Sequence, residues 1–420
     1  MFSGRQSFAR QQSSVMPRPV VKTPSLFILV AVTAVGPLAL NVFIPSMPGM
    51  QTVFGVDYGT IQLTLTLYLA ATAVAQLVWG PLSDRFGRRP VLLAGLTLFV
   101  IGSTLAAVSV SISMLIGSRV VQAVGGCAGM VLGRAIVRDL FDRDAAASKI
   151  AYITMAMVVA PMIAPALGGL LDQWFNWRAG FILVGVVGTA VWLAATLTLH
   201  ESHHQRRPLP GIGGLLSGYS RLLRSALFCG YAFNMAFSAA VFFSFLAGAP
   251  YIMVELLGRT PGEYGLYFVM VSGGYMLGNL VAGRFSGRVG SYRMLLIGSG
   301  LAISGTTVMS ILILSAPVTP LVLFGSMMVL AFANGLCLPN ATAGAISVDP
   351  DAVGAASGLA GFLQIATGAL ATWLVGSLQN DSALPMTLVM TASAWIAFGA
   401  LLVVLRYQAD PLTVRRNRTG

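Results

Sequence analysis

An all-α chain that crosses a bilayer twelve times, as two parallel six-helix repeats, is the fold class this sequence predicts. Three observations carry the prediction. Of 420 residues, 56% are hydrophobic and only 9% charged, with a mean hydropathy of +0.82, whereas a water-covered surface takes about 25% charged residues. Uncharged stretches long enough to cross the roughly 30 Å hydrocarbon layer recur along the whole chain. The second half also repeats features of the first at shifts of 203 to 210 residues. Soluble, disordered and disulfide-stapled secreted classes are excluded.

The elements follow in order. Residues 1–23 form a polar tail with Arg5, Arg10, Arg18 and Lys22, and the apolar stretch after it is of full span length, which reads as an uncleaved anchor. Uncharged stretches occupy 23–56, 58–83 and 90–118; a fourth span, about 112–136, is interrupted by Arg119 and Arg134. Spans five to eight are 150–171, 179–200, 225–254 and 264–283. The stretch 294–348 is too long for one crossing, and Ala316-Pro317-Val318-Thr319-Pro320 divides it; 352–380 and 382–405 complete the set. The longest polar interruption, 201–224 with Arg206-Arg207-Pro208 and Pro210, separates an N-terminal bundle (24–200) from a C-terminal bundle (225–407), with a tail at 408–420.

Charge placement orients these spans. Of the 25 Lys and Arg residues, all but Arg119, Arg134, Arg178 and Arg259 fall in the tails and in the connections on the same side, so the positive-inside rule makes both termini cytoplasmic. The net charge of +12 therefore encodes topology, and nucleic-acid binding is not expected. Cys127, Cys229 and Cys337 lie in apolar stretches without CxxC spacing and read as small buried residues.

The repeat is specific in three places. A shift of 203 lays Gly80, Ser83, Arg85 and Gly87 over Gly283, Ser286, Arg288 and Gly290. A shift of 209 lays Ala146-Ala147-Ser148 over Ala355-Ala356-Ser357, and one of 210 lays Gly125 and Cys127 over Gly335 and Cys337. Parallel six-span repeats with a substrate site near the midplane are a known transporter plan.

The connection after span two reads Gly80-Pro81-Leu82-Ser83-Asp84-Arg85-Phe86-Gly87-Arg88-Arg89-Pro90. It closely resembles the G-x-L-a-D-r-x-G-r-r signature of the major facilitator superfamily, a short cytoplasmic turn. The resemblance implies that Asp84 sits near the positive N-terminus of span eleven, facing roughly Gly354, and favours the outward-facing state. The second copy has Gly287 in place of the acid. In span five, Ala160-Pro161-Met162-Ile163-Ala164-Pro165-Ala166-Leu167-Gly168-Gly169 is similar to the antiporter motif of drug exporters, with alanine for both leading glycines; close helix packing accounts for the same residues. Gly117 to Gly126, around Arg119 and Gln122, looks like the superfamily's R-x-x-Q-G motif. Together with Pro37 to Pro48, Gly133 to Phe141 and Trp177-Arg178, it resembles the bicyclomycin and chloramphenicol resistance exporters. This resemblance implies export of small drug-like compounds driven by the proton gradient, with no other cofactor. It also implies a monomer in the bacterial inner membrane, with a small-molecule substrate and lipid as its partners.

An arginine deep in a membrane helix costs about 2.5–3.5 kcal/mol on insertion scales and is rarely idle. Arg119 and Asn41 lie at similar depth, and a bond between them is expected, with Arg119 as the fixed positive charge of the cavity favouring neutral or anionic substrates. Packing against backbone carbonyls is the other reading. Related exporters often carry an aspartate where Asn41 stands, and none of the 13 acids lies deep in a span. The candidates left for proton coupling are then Asp84 and Asp139 at the cytoplasmic mouth, or a site where substrate and Arg119 compete electrostatically. Tyr68, Gln122, Asn234, Asn334, Asn340 and Gln364 are the polar candidates for the substrate cavity, with Phe237, Phe242 and Phe243 as aromatic walls. An importer or uniporter on the same fold is the alternative. A membrane-embedded enzyme is more remote, because its only cluster would be His200, Glu201, His203 and His204, which lacks HExxH spacing. No filter or ring of charges suggests a channel.

Overall fold

The computed structural model describes residues 25–141, 143–203, 212–349 and 352–409, and among them every regular element is helical. The first crossing comes in two pieces, α1 (Leu26–Val42) and α2 (Met47–Phe54), joined by a single 3-10 turn at Ile44–Ser46. Pro45 and Pro48 force that break, since neither ring nitrogen donates to the preceding turn. α3 (Tyr58–Phe86), α4 (Arg88–Ala107), α5 (Ile112–Leu140), α6 (Arg143–Trp174) and α7 (Arg178–Thr198) complete the N half. After α8 (Ile212–Arg224), the C half contains α9 (Ala226–Tyr251), α10 (Pro261–Val289), α11 (Ser291–Ser315), α12 (Pro320–Ser347), α13 (Val353–Ser377) and α14 (Leu384–Ala409). The shortest unbroken crossing, α4, has 20 residues, which at 1.5 Å per residue reaches about 30 Å, one hydrocarbon layer.

Caps written into the sequence start several of these helices. Asp57, Ser111, Ser225 and Thr319 each accept a first-turn backbone N–H, and Thr260 with Glu263 forms a reciprocal capping box. The repeat seen in the sequence is present in the backbone. Gly87 (φ +102°) and Gly290 (φ +93°) occupy matching turns after α3 and α10, a left-handed conformation that only glycine takes without strain. The connection 201–224 differs from its reading as a polar loop, because α8 fills its second part. There Leu222 is buried and Tyr219 packs on the C half, while Arg221 points outward and pairs with Asp349 at 3.8 Å. The tails 1–23 and 410–420 and part of this connection lie outside the described residues.

An even number of crossings puts both chain ends on one face, called here the tail face; the opposite one is the far face. The halves meet along two antiparallel helix pairs, α3 with α13 and α6 with α10. Glycines permit the closest approaches: Gly169 lies on the Pro261 carbonyl, Gly265 on that of Pro165, and Gly376 against Gln62.

Candidate substrate and coupling site

Arg119 is the largest fully buried side chain in the N half, at 0% exposure. Its guanidinium carbon lies 4.0 Å from the Phe43 ring centroid and 4.1 Å from that of Tyr68, with Phe181 at 5.8 Å. One nitrogen, Nη1, donates to the Ala39 carbonyl at 3.0 Å and to Gln122 Oε1; Gln122 in turn donates to Ser103 Oγ at 2.8 Å. Ala39 is available because α1 ends at Val42, and the last-turn carbonyls of a helix lack partners within it. A desolvated cation on an aromatic face gains about 2 kcal/mol, so two rings and two charged hydrogen bonds hold this arginine without a carboxylate.

The expected bond to Asn41 is not made. Asn41 Nδ2 donates to the Pro37 carbonyl one turn back at 2.8 Å, and Asn41 Oδ1, Arg119 Nε and Arg119 Nη2 are all buried without a partner. The charge is also walled off rather than displayed, because the Phe43 and Tyr68 rings cover it. The cavity candidates divide in the same manner. Tyr68 donates to the Gly36 carbonyl at 3.1 Å and, like Gln122, belongs to the N-half interior. Asn234 donates to Ser299 Oγ at 3.1 Å and to the Ala397 carbonyl at 2.9 Å, inside the C half. Asn334 is buried nearby with Oδ1 unpaired, and Asn340 donates to the Leu336 carbonyl at 2.9 Å. Phe237 packs on Phe233; Phe242 packs on Phe243 and Phe268; Gln364 is half-buried on α13. The structure does not gather these residues at one surface, since an amide immersed in an apolar bundle must find its partner within that bundle.

On the tail face the acids form a bound network. Arg88 pairs with Asp84 one turn away and donates from Nε to Asp139 Oδ2 at 2.9 Å; Ser202 Oγ and His203 Nδ1 approach the same carboxylate at 3.4 and 3.9 Å. The expected placement of Asp84 against the start of α13 is not found here. Its side chain is 41% exposed and held by Arg88, and a methyl added at Gly354 would meet open space. Glu201 is a residue whose role sequence reasoning missed. Its carboxylate accepts N–H bonds from Arg88 (2.9 Å), Arg89 (3.2 Å), Ser202 (3.0 Å) and His203 (3.0 Å), and it lies against Gly87. It thereby caps the N-terminus of α4, where negative charge is favoured. Arg89 completes the clasp by donating to the Leu199 and Thr196 carbonyls at 2.8 and 2.9 Å. Arg85 lies over the Phe86 ring, and Gly80 borders open space. No group of three metal-ligating side chains occurs among the described residues; His204 lies outside them.

The far face is where the halves lock together. Tyr58 Oη and Gln62 Nε2 both donate to the Ala247 carbonyl, at 3.0 and 2.7 Å; Thr66 and Thr372 share a hydrogen bond at 2.9 Å; Gln51 donates to Glu255 at 3.4 Å. The Tyr58 and Tyr251 rings pack across the same seam at 4.9 Å. The small residues of the antiporter-like motif are used here too. Pro161 and Pro165 lie within α6, Gly168 lies directly on the Val42 carbonyl where α1 ends, and Gly169 meets α10. Toward the tail face the seam loosens. Gln76 reaches Gly361, but beyond it Gly358 and Gly354 of α13 and Gly80 of α3 all border open space. Along α3 and α13 the halves are joined toward the far face and separate toward the tail face.

Comparison with known proteins places this geometry. The chain is 29% identical over 400 residues to Multidrug resistance protein D of Escherichia coli (strain K12), covering 94% of this chain and 97% of that one. It is 27% identical over 380 residues to the Bicyclomycin resistance protein homolog of Haemophilus influenzae, covering 90% and 95%. The Chloramphenicol resistance protein of Pseudomonas aeruginosa is 34% identical over 282 residues, 65% of each chain. In fold, the xylose transporter XylE from E. coli, in a partially occluded inward open conformation, superposes with a TM-score of 0.69 at 14% identity, covering 91% of this chain and 97% of that one. Residues 29–372 match the model of the Major Facilitator Superfamily, and the chain belongs to that family of transporters.

Proposed function

We propose that the chain exports small, largely apolar drug-like compounds across the bacterial inner membrane by alternating access, with both tails cytoplasmic and proton entry as the driving step. The observation that carries this reading is the asymmetric seam: four side-chain hydrogen bonds join the halves at the far face, while α3 and α13 part toward the tail face. With the tail face cytoplasmic, this is the inward-facing state, ready to load from the cytoplasm. Near-full-length likeness to drug-resistance proteins supports export as the direction and drug-like molecules as the cargo.

Arg119 gives the N half a positive charge with two unused donors and no acid beside it, which disfavours cationic cargo and favours neutral or anionic compounds. Asn41 supplies an unused acceptor close to the same level. Asp84 and Asp139, which share Arg88 on the tail face, are the carboxylates placed to take up and release protons. The test is chloramphenicol-induced proton release from purified protein, repeated with Asp84→Asn, Asp139→Asn and the double variant. Release in the wild type and its loss in the double variant support the assignment. Full release in the double variant refutes it, and no release from the wild type refutes proton-coupled export of this compound.

A further inference from the structure

A cavity of about 530 Å³ opens on the far face between the two halves. That is within the volume range of small-molecule sites. The N half contributes Gln51, Asp57, Tyr58 and Gln62, and the C half Tyr251, Trp373 and Asp381, among others. The transport reading uses Gln51, Tyr58, Gln62 and Thr66 of this lining only as the bonds that close the far face; Arg119 is sealed inside the N half and the tail-face acids lie at the opposite end.

Three independent features define what would fit. The first is charge. Asp57 and Asp381 line the cavity and no Lys or Arg does, although the chain as a whole carries +12. Asp57 accepts from the Thr60 backbone and hydroxyl at 3.0 and 2.7 Å, which lowers its pKa below the usual carboxylate value, so it is an anion at neutral pH. The arginines of this face are engaged elsewhere: Arg178 stacks on Trp177 and donates to the Ser109 carbonyl, and Arg259 pairs with Glu263. The second is an acceptor without a donor. Gln62 lines the cavity, is 1% exposed, and has its Oε1 unpaired while Nε2 is committed to Ala247. A buried acceptor without a donor is unfavourable, and a ligand N–H would supply the missing bond. The third is aromatic surface. Tyr58 and Tyr251 form a packed pair, and Trp373, 49% exposed, also lines the cavity, giving faces that attract a cation.

We propose that this cavity is a binding site for protonated aromatic amines, separate from the transport path. The ammonium N–H groups face the Asp57 and Asp381 carboxylates and Gln62 Oε1, and the ring lies against Tyr251 and Trp373. Because its walls come from both halves, the site is complete only while the far face is closed. It binds a cation, the class that the Arg119 charge disfavours as cargo; the contrast in charge rests on the proposed function, but the site itself does not.

The experiment is isothermal titration of the purified full-length protein with tryptamine, with its neutral analogue tryptophol, and with N,N,N-trimethyltryptammonium, which keeps the charge but lacks ammonium N–H. Tryptamine binding at least tenfold tighter than tryptophol is expected, with the trimethylated cation in between. Asp381→Asn should weaken tryptamine about tenfold, and Asp57→Asn/Asp381→Asn should reduce it to the tryptophol level; asparagine retains the helix cap, and an unchanged melting temperature reports the fold. Trp373→Leu, which leaves both acids in place, should weaken all three ligands. Equal binding of tryptamine and tryptophol, or full tryptamine affinity in the double variant, overturns the proposal. So does competitive displacement of tryptamine by chloramphenicol, which would place the amine in the transport site. Failure of chloramphenicol to drive proton release would refute the export reading and leave these titrations to stand or fall on their own.

Discussion

The turns at Gly87 and Gly290 have nearly the same backbone, yet their surroundings differ. Asp84, Arg88, Asp139 and Glu201 close around the first, while Gly287 replaces the acid at the second and added methyls at Gly287 and Gly290 meet open space. The interiors differ in the same direction, with a buried arginine between aromatic rings in the N half and neutral amides hydrogen-bonded to hydroxyls and carbonyls in the C half. Sequence repetition therefore preserves the helix plan and the glycine turns but not the polar machinery. The N half holds its charges against itself, and the cross-half bonds at the far face are uncharged except for Gln51 with Glu255.

The largest expected effect is at Arg119. Arg119 has no carboxylate partner, and exchanging buried charge for well-packed apolar side chains of similar size is often neutral or stabilising, so Arg119→Met should melt no lower than the wild type while export falls at least tenfold. A lower melting temperature with export intact would make Arg119 a packing element and dissolve the contrast between the halves. Next, Glu201→Ala removes a carboxylate that caps the N-terminus of α4 and accepts four backbone N–H bonds, and a loss of about 2 kcal/mol is expected, the upper end of what removing a helix N-cap costs. Glu201→Gln should lose about half of that. Gly87→Ala and Gly290→Ala test the turns directly. Both bear the strain of a left-handed φ, about 1 kcal/mol or somewhat more, but only the first drives a methyl into Glu201; equal melting shifts would show that the surroundings of Gly87 are not rigid.

Smaller effects sharpen the seam. Tyr58→Phe removes one hydrogen bond to Ala247, worth about 1 kcal/mol, and should raise far-face opening roughly fivefold, read as faster labelling of a Thr66→Cys reporter by an impermeant maleimide. The smallest effect is in acid. Asp57 has its pKa depressed in the folded state, from 3.8, by Thr60. Its stabilising contribution is therefore fully present above 3.8 and disappears as pH falls through the lowered folded value. Melting curves below pH 4 should show this loss in the wild type and not in Asp57→Asn.

Much of this architecture is legible in the sequence because the bilayer imposes length and polarity on every crossing. The predicted break at Ala316–Pro320 falls between α11 and α12, and the span obscured by Arg119 and Arg134 is α5. Topological turns are equally legible, since a positive φ calls for glycine. The site was less so. Arg119 is exceptional by its depth alone, but of its partners only Gln122, three residues on, is an amide within a sequence motif; the Ala39 carbonyl freed by the break in the first crossing and the Phe43 and Tyr68 ring faces are not found by a search for complementary acids or amides. Glu201 belongs in sequence to a histidine cluster, but beside the adjacent Ser202 and His203 N–H groups its carboxylate accepts those of Arg88 and Arg89, more than a hundred residues earlier, a contact without a local pattern. Tyr58 and Gln62 carried a signal that went unused, as polar residues near the end of an apolar span with no need to be there unless they cross to the other half.

Under the proposed function, inward proton movement is coupled to outward movement of a neutral drug through an N half that depends on Arg119. The most direct measurement is chloramphenicol flux in proteoliposomes under an imposed pH gradient, with wild type and Arg119→Met side by side. Concentrative movement of the drug toward the acidic side is expected in the wild type, and its loss in the variant. Movement only down the drug's own gradient, or concentrative transport equal in both proteins, would contradict it.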